Sequence, residues 1–176
     1  MVIRFYGGGA NGMRGFSERR LSPLLAAPAP GTYPVVYQTV PIGGNGLIDG
    51  SFEARYSVAS SVRVAGFVDF GQVTTGLVGP KEVPDLLWAV GVGLRYITAV
   101  GPIRLDLAYR LPFGRLPTLY GTDPDTGAIE VFPYQPNESC FGLFGPHPDT
   151  IVVNGHPITA AIDGPCVVQI SIGEPF

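Results

Sequence analysis

Charge is what this chain has least of. Lys, Arg, Asp and Glu make up 14% of its 176 residues, against roughly 25% in an average soluble domain, so a fully hydrated surface would be sparsely charged. The formal charge is −3 and the pI near 5.2. With the arginines dispersed rather than gathered in a patch, a nucleic-acid partner is excluded. No run of 18 apolar residues occurs, which excludes a transmembrane helix but leaves membrane strands open, since these need only about 9–11 residues. The first residues, MVIRFYGGGANG, lack a charged segment followed by an apolar core and do not read as a signal peptide. An exported protein needs one, so residue 1 is not expected to be the natural beginning. Only two cysteines are present, Cys140 and Cys166, too few for a thiolate zinc site by themselves. They read either as one disulfide, in a compartment that permits it, or as two free thiols.

Helix is also missing. With 25 Gly and 18 Pro, no window holds a credible helix, and the periodic segments between these breakers have period two. In GPIRLDLAYRL, Ile103, Leu105, Leu107, Tyr109 and Leu111 share one face, and Arg104, Asp106, Ala108 and Arg110 the other. In LWAVGVGLRYI, Trp88, Val90, Val92, Leu94 and Tyr96 oppose Ala89, Gly91, Gly93 and Arg95. SVRVAGFVDFG sets Val62, Val64, Val68 and Phe70 against Arg63, Ala65, Phe67 and Asp69. IDGSFEARY sets Phe52, Ala54 and Tyr56 against Ser51, Glu53 and Arg55. The last strand, residues 166–176, sets Val168, Ile170, Ile172 and Phe176 against Gln169, Ser171 and Gly173. A sixth strand is expected to end at Ile3 to Tyr6.

Short connections (SVAS, TAV) alternate with long ones at about residues 7–46, 72–86 and 112–165, as when one barrel rim carries tight turns and the other long external loops. Alternation alone also suits a water-soluble sandwich whose apolar face is its core. Aromatics favour the membrane: Tyr56, Trp88, Tyr96, Tyr109 and Phe176 lie at strand ends on the apolar face, where rings meet lipid headgroups. The opposite face is small and polar, as a lumen would be. His147 and His156, with Asp149 and Asp163, imitate a metal or triad set within the Pro-rich segment. Such histidines are more often solvated, no G-x-S-x-G elbow is present, and no cofactor is called for.

Five segments then occur in an order that resembles the bacterial surface antigen family: GGANGMRGF at 8–16, GGNGLIDGSFEARY at 43–56, GFVDFGQV at 66–73, WAVGVGLRYITAVGPIRLDLAYRLP at 88–112, and the terminal Phe176. The resemblance implies an all-β fold, an antiparallel transmembrane β-barrel of the bacterial outer membrane with sixteen strands. Residues 1–176 would be its C-terminal part, five to six strands. Strands and periplasmic domains upstream would be needed to complete it. The implied function is non-enzymatic: outer-membrane protein assembly, insertion or translocation, most similar to the translocation-and-assembly type. Its partners would be outer-membrane lipids and unfolded outer-membrane or secreted client proteins. The alternatives are a two-partner secretion transporter and a passive pore or adhesion barrel.

The same resemblance singles out Arg14, Gly15 and Phe16. The family's arginine motif sits at the tip of a long external loop that folds back into the lumen and pairs with acids of the wall. Here Met13 departs from its usual first position. The matching acids would be Asp69, from F-x-D-x-G, and Glu53 or Asp106, and period-two alternation independently puts all three on one side. A planar guanidinium suits the task because it binds carboxylates bidentately and stays charged. The plainer reading leaves Arg14 solvated and pairs the acids with Arg55, Arg63, Arg95, Arg104 and Arg110. At the C-terminus, Gln169 and Phe176 match the terminal signal by which such barrels are recognised for assembly, whereas Ser171 and Glu174 depart from it.

Overall fold

The computed structural model describes residues 3–28, 36–76, 85–99, 101–122, 128–132, 140, 147–153 and 156–173. Among the described residues eleven strands are formed: β1 (Leu24–Pro28), β2 (Val36–Pro41), β3 (Gly46–Ala59), β4 (Val62–Thr74), β5 (Leu87–Thr98), β6 (Gly101–Arg110), β7 (Leu119–Thr122), β8 (Ile129–Phe132), β9 (His147–Val153), β10 (His156–Ile162) and β11 (Cys166–Ile172). They make two sheets.

The first has the order β11-β6-β5-β4-β3 and is antiparallel throughout. Its strands are the five expected from alternation, and the alternation is turned inside out relative to a soluble protein. Along β6, Arg104, Asp106, Ala108 and Arg110 are buried while Ile103, Leu105, Leu107 and Tyr109 are exposed. Asp106 keeps 1% of its surface, whereas Phe52 and Tyr56 on β3 keep 71% and 72%. Burying charge is unfavourable unless every charge is paired, so this face exists only because something polar covers it. The outer face carries a tilted aromatic row across three strands, Phe52 to Phe70 at 6.2 Å and Phe70 to Trp88 at 5.2 Å between ring centroids.

The register lines up the inner face in rows. Ser51, Asp69, Ala89 and Arg110 form one row, and Glu53, Phe67, Gly91, Ala108 and Val167 the next. A third holds Arg55, Ala65, Gly93, Asp106 and Gln169. Three strands thereby bring the acids Asp69, Glu53 and Asp106 into adjacent rows.

The second sheet, of order β8-β7-β1-β2-β10-β9, lies within the two segments read from the sequence as long loops, 7–46 and 112–165. It joins them to each other by parallel pairing, β1 with β7 (Leu24 opposite Leu119) and β2 with β10 (Val36 opposite Thr159). Leu24, Ala26, Leu119, Phe132 and Ala160 form its small buried core, with Tyr37 packed against it. These strands have four to seven residues, and several carry proline, which removes ladder donors and breaks the alternation that exposes a strand in sequence.

Two expectations meet the structure differently. Ile3 to Tyr6 form no strand: the segment makes only an isolated bridge, Phe5 to Gly44, through a reciprocal pair of backbone bonds of 2.8 and 2.9 Å. The cysteines, open on sequence grounds, are joined: Cys140–Cys166, with Cα atoms 5.0 Å apart, ties residue 140 to the first residue of β11. Closing a 26-residue separation removes unfolded-chain entropy worth about 3–4 kcal/mol. Neither thiol is therefore expected to react with a maleimide under denaturing conditions until a reductant is added. Labelling without reduction would disprove the bond.

Candidate functional site

Residues 7–22 follow the bridge at Phe5 and lie across the inner face. The entry turn is glycine-built: Gly8 and Gly9 have φ of 100° and 98°, a region that L side chains rarely adopt. A Cβ on Gly8 would also approach the Ser17 carbonyl oxygen to 2.6 Å. Beyond this turn Met13, Phe16 and Leu21 pack with Val73, Leu87 and Ala89 in a cluster that includes wall residues of β4 and β5, so apolar burial seats the loop before any charge is considered.

Arg14 stands at the centre, 3% exposed. Its Nε donates to Asp69 Oδ2 at 2.8 Å and its Nη2 to Asp69 Oδ1 at 2.7 Å, a bidentate pair, and its backbone N–H donates to the same Oδ2 at 3.0 Å. Nη1 donates to Glu53 Oε2 at 2.6 Å, and Nη2 also reaches Ser51 Oγ at 3.0 Å. Asp106 Oδ2 lies 3.7 Å from Nη1. Below the guanidinium is the Phe67 ring, its centroid 3.4 Å from Cζ, which adds a cation–π contact. Burial by itself would lower the Arg14 pKa. The hydrogen bonds to Asp69 and Glu53 outweigh it, so the pKa stands raised above its already high ordinary value, and the guanidinium keeps its charge in the enclosed site.

Two of the three acids, Glu53 and Asp106, serve more than one cation. Arg95 binds both Glu53, at 3.1 Å, and Asp106. Arg104 lies 3.4 Å from Asp106 and donates to the loop carbonyl of Ala10 at 3.2 Å, while Arg55 caps Glu53 at 2.6 Å. Arg14 is thus buried rather than solvated, and of the wall arginines in the plainer reading Arg55, Arg95 and Arg104 share Glu53 or Asp106 with it. Such sharing offsets the like charges that the register sets opposite each other at Arg95 and Arg104. Glycine makes the room: a Cβ at Gly93 would strike Asp106 and Arg95, and one at Gly91 would strike the Phe67 ring. At Gly15 a Cβ would come within 2.5 Å of the Ala89 Cβ.

All six residues singled out for the loop-to-wall contact, Arg14, Gly15, Phe16, Glu53, Asp69 and Asp106, are thus brought together. Phe16 is fully buried, with the Arg110 guanidinium 4.4 Å from its ring centroid. Gln169, singled out for the terminal signal, faces inward, and its Nε2 donates to the Phe16 carbonyl at 2.9 Å. Phe176 lies outside the described residues. Of the set weighed for catalysis, Asp163 is engaged in a buried ion pair with Arg20 at 2.8 Å. Sequence reasoning missed that pair, as well as Ser51 and the ring of Phe67 as parts of the Arg14 seat. Alternation places Ser51 and Phe67 on the correct face, but nothing in period two marks Arg20, which lies in a turn.

Fold and site together define a β-sheet wall with an apolar outer face and a charged inner face that is covered by a loop of the same chain. The profile of the Omp85 superfamily domain matches residues 1–122, more than two thirds of the chain, and the chain belongs to that superfamily. Its members are outer-membrane β-barrels.

Proposed function

We propose that this chain is the C-terminal wall of a sixteen-stranded transmembrane barrel in the bacterial outer membrane, one that assembles, inserts or translocates other polypeptides without catalysing a chemical reaction. The observation that carries this reading is the buried Arg14 in the inside-out sheet, bound to Asp69 and Glu53 at hydrogen-bond distance. A loop locked onto the charged face explains why that face can be charged, and the exposed apolar face suits outer-membrane lipids. Five strands leave two edges, β3 and β11. Unpaired backbone in hydrocarbon costs several kcal/mol per group, so further strands must complete the wall, and periplasmic domains would present the clients. Unfolded outer-membrane or secreted proteins would be bound through backbone pairing at an exposed edge, the mode of β-augmentation. Similarity of residues 91–111 to the assembly branches, particularly the translocation-and-assembly type, favours that branch over two-partner secretion.

Depletion of the complete protein from a bacterium that carries it tests the reading. The levels of other folded outer-membrane proteins are expected to fall before the growth rate does, as read by quantitative mass spectrometry of outer-membrane fractions. Unchanged levels, together with steady ion conductance of the purified barrel, would replace the assembly role with that of a passive pore.

A further inference from the structure

We infer that residues 16–20 form a second anchor of the loop, separate from Arg14, which grips the terminal strand β11, so that the seating of the loop controls how firmly that strand is held. The functional weight of this inference rests on the proposed role of β11 as an exposed barrel edge. The contacts themselves do not.

Two points of attachment carry it. In the middle of β11, Gln169 Nε2 donates to the Phe16 carbonyl at 2.9 Å. Just before β11, the fully buried Asp163 accepts from Arg20 Nε at 2.8 Å through Oδ2, and from Ser17 Oγ at 3.0 Å through Oδ1. Arg20 in turn holds Thr39 of β2, through the carbonyl at 3.0 Å and Oγ1 at 2.8 Å. Arg110, stacked on Phe16, donates to the carbonyls of Asp163 and Gly164, both at 3.3 Å. None of these acceptors is shared with Arg14, whose partners are on β3, β4 and β6.

The consequence follows from the position of β11. Among the described residues it pairs with β6 alone, so it has one backbone ladder where β4, β5 and β6 have two. An edge strand with one ladder opens more easily than its neighbours, and side-chain bonds from the loop are the additional restraint. Withdrawing the loop from the inner face removes the Phe16 carbonyl and the Arg20 guanidinium together. Among the described residues, that leaves β11 with its bonds to β6 and the Cys140–Cys166 tether at its first residue. The loop then acts as a brace whose release loosens the edge.

The test is amide hydrogen exchange of the complete protein in lipid nanodiscs. Gln169→Glu keeps the side-chain shape but turns a donor into an acceptor facing the Phe16 carbonyl, and Asp163→Asn removes the charge that Arg20 pairs with. Each is expected to speed exchange in residues 167–172 about tenfold, the factor a lost buried hydrogen bond supplies, and to leave β4 and β5 unchanged. Unaltered exchange in β11 would overturn the inference. Should both variants fail to fold, the unaltered protein decides. If the brace exists, peptides covering 16–22 and 167–172 open in one correlated event, whereas opening of β11 with the loop still protected would overturn it. Correlated opening in a protein whose depletion spares other outer-membrane proteins would keep the brace and discard the assembly role.

Discussion

Arg14→Ala in the complete protein is expected to release the loop and abolish the proposed assembly activity, while leaving the strands of the wall formed. The substitution removes the bidentate partner of Asp69 and the hydrogen bond to Glu53, both buried or nearly so. Removing one member of a buried pair strands the other, which costs about 3–5 kcal/mol. Here the cost is borne chiefly at Asp69, which is fully buried with no other cation paired to it among the described ion pairs. Glu53 retains Arg55 and Arg95, and Asp106 retains Arg95 and Arg104. The loop's own apolar contacts through Met13, Phe16 and Leu21 oppose release, so the outcome is a shift of population toward the undocked loop rather than unfolding. Trypsin is expected to cut at Arg19 or Arg20 in the variant and not in the parent, and complementation of a depleted strain is expected to fail. Arg14→Lys should behave nearly as badly, because one ammonium cannot bind Asp69 through two parallel donors and reach Glu53 as well. A variant that complements fully and resists trypsin would remove the lock from the mechanism.

The second large effect is steric. Gly15→Ala is expected to lift the loop, since the new Cβ would sit 2.5 Å from that of Ala89, and neither atom lies at the end of a flexible side chain. Overpacking of this kind costs about 1–3 kcal/mol, enough to separate Arg14 from acids whose bonds depend on tenths of an ångström. Ala89→Gly opens the space on the wall side, so Gly15→Ala/Ala89→Gly should recover much of the loss, less the penalty of about 0.5–1 kcal/mol for glycine within a strand. The shift from folded to unfolded mobility on gels of gradually heated samples measures all three variants. A single variant as heat-resistant as the parent, or a pair no better than the single, would show that Gly15 is present for some reason other than contact with Ala89.

The two anchors of the loop separate in these experiments. Arg14 acts on β3, β4 and β6, and Arg20 with Phe16 on β11 and its lead-in. Loss of the first should expose the loop to protease and, because the released loop takes Phe16 and Arg20 with it, loosen β11 as well, whereas loss of the second should loosen β11 with Arg14 still bound.

Much of the wall was legible in advance because period two writes itself into composition. Every second residue of β6 is apolar and every other one charged or small, and an antiparallel ladder between neighbours in sequence needs no further information. The partners of Arg14 were partly legible for the same reason: alternation assigns Glu53, Asp69 and Asp106 to one side, and a family motif supplies the arginine. Alternation could not say whether that side faces a lumen, a protein or water. The cysteines illustrate the limit from the other direction, because two thiols in a sequence carry no record of the distance between them.

By itself, then, the sequence determined the five antiparallel strands, the face on which their side chains stand and, with the family motif, the charged members of the lock, Arg14, Glu53, Asp69 and Asp106. Only the tertiary structure decided that the two long connections pair with each other in a mixed sheet, and that Arg14 and the wall arginines share the same acids. It also decided that the loop holds the terminal strand through Gln169 and Asp163. The physical reason is range. Alternation is a property of neighbours along the chain, whereas pairing Leu24 with Leu119 or Arg20 with Asp163 depends on register between distant segments, which short proline-bearing strands and turn residues do not encode locally.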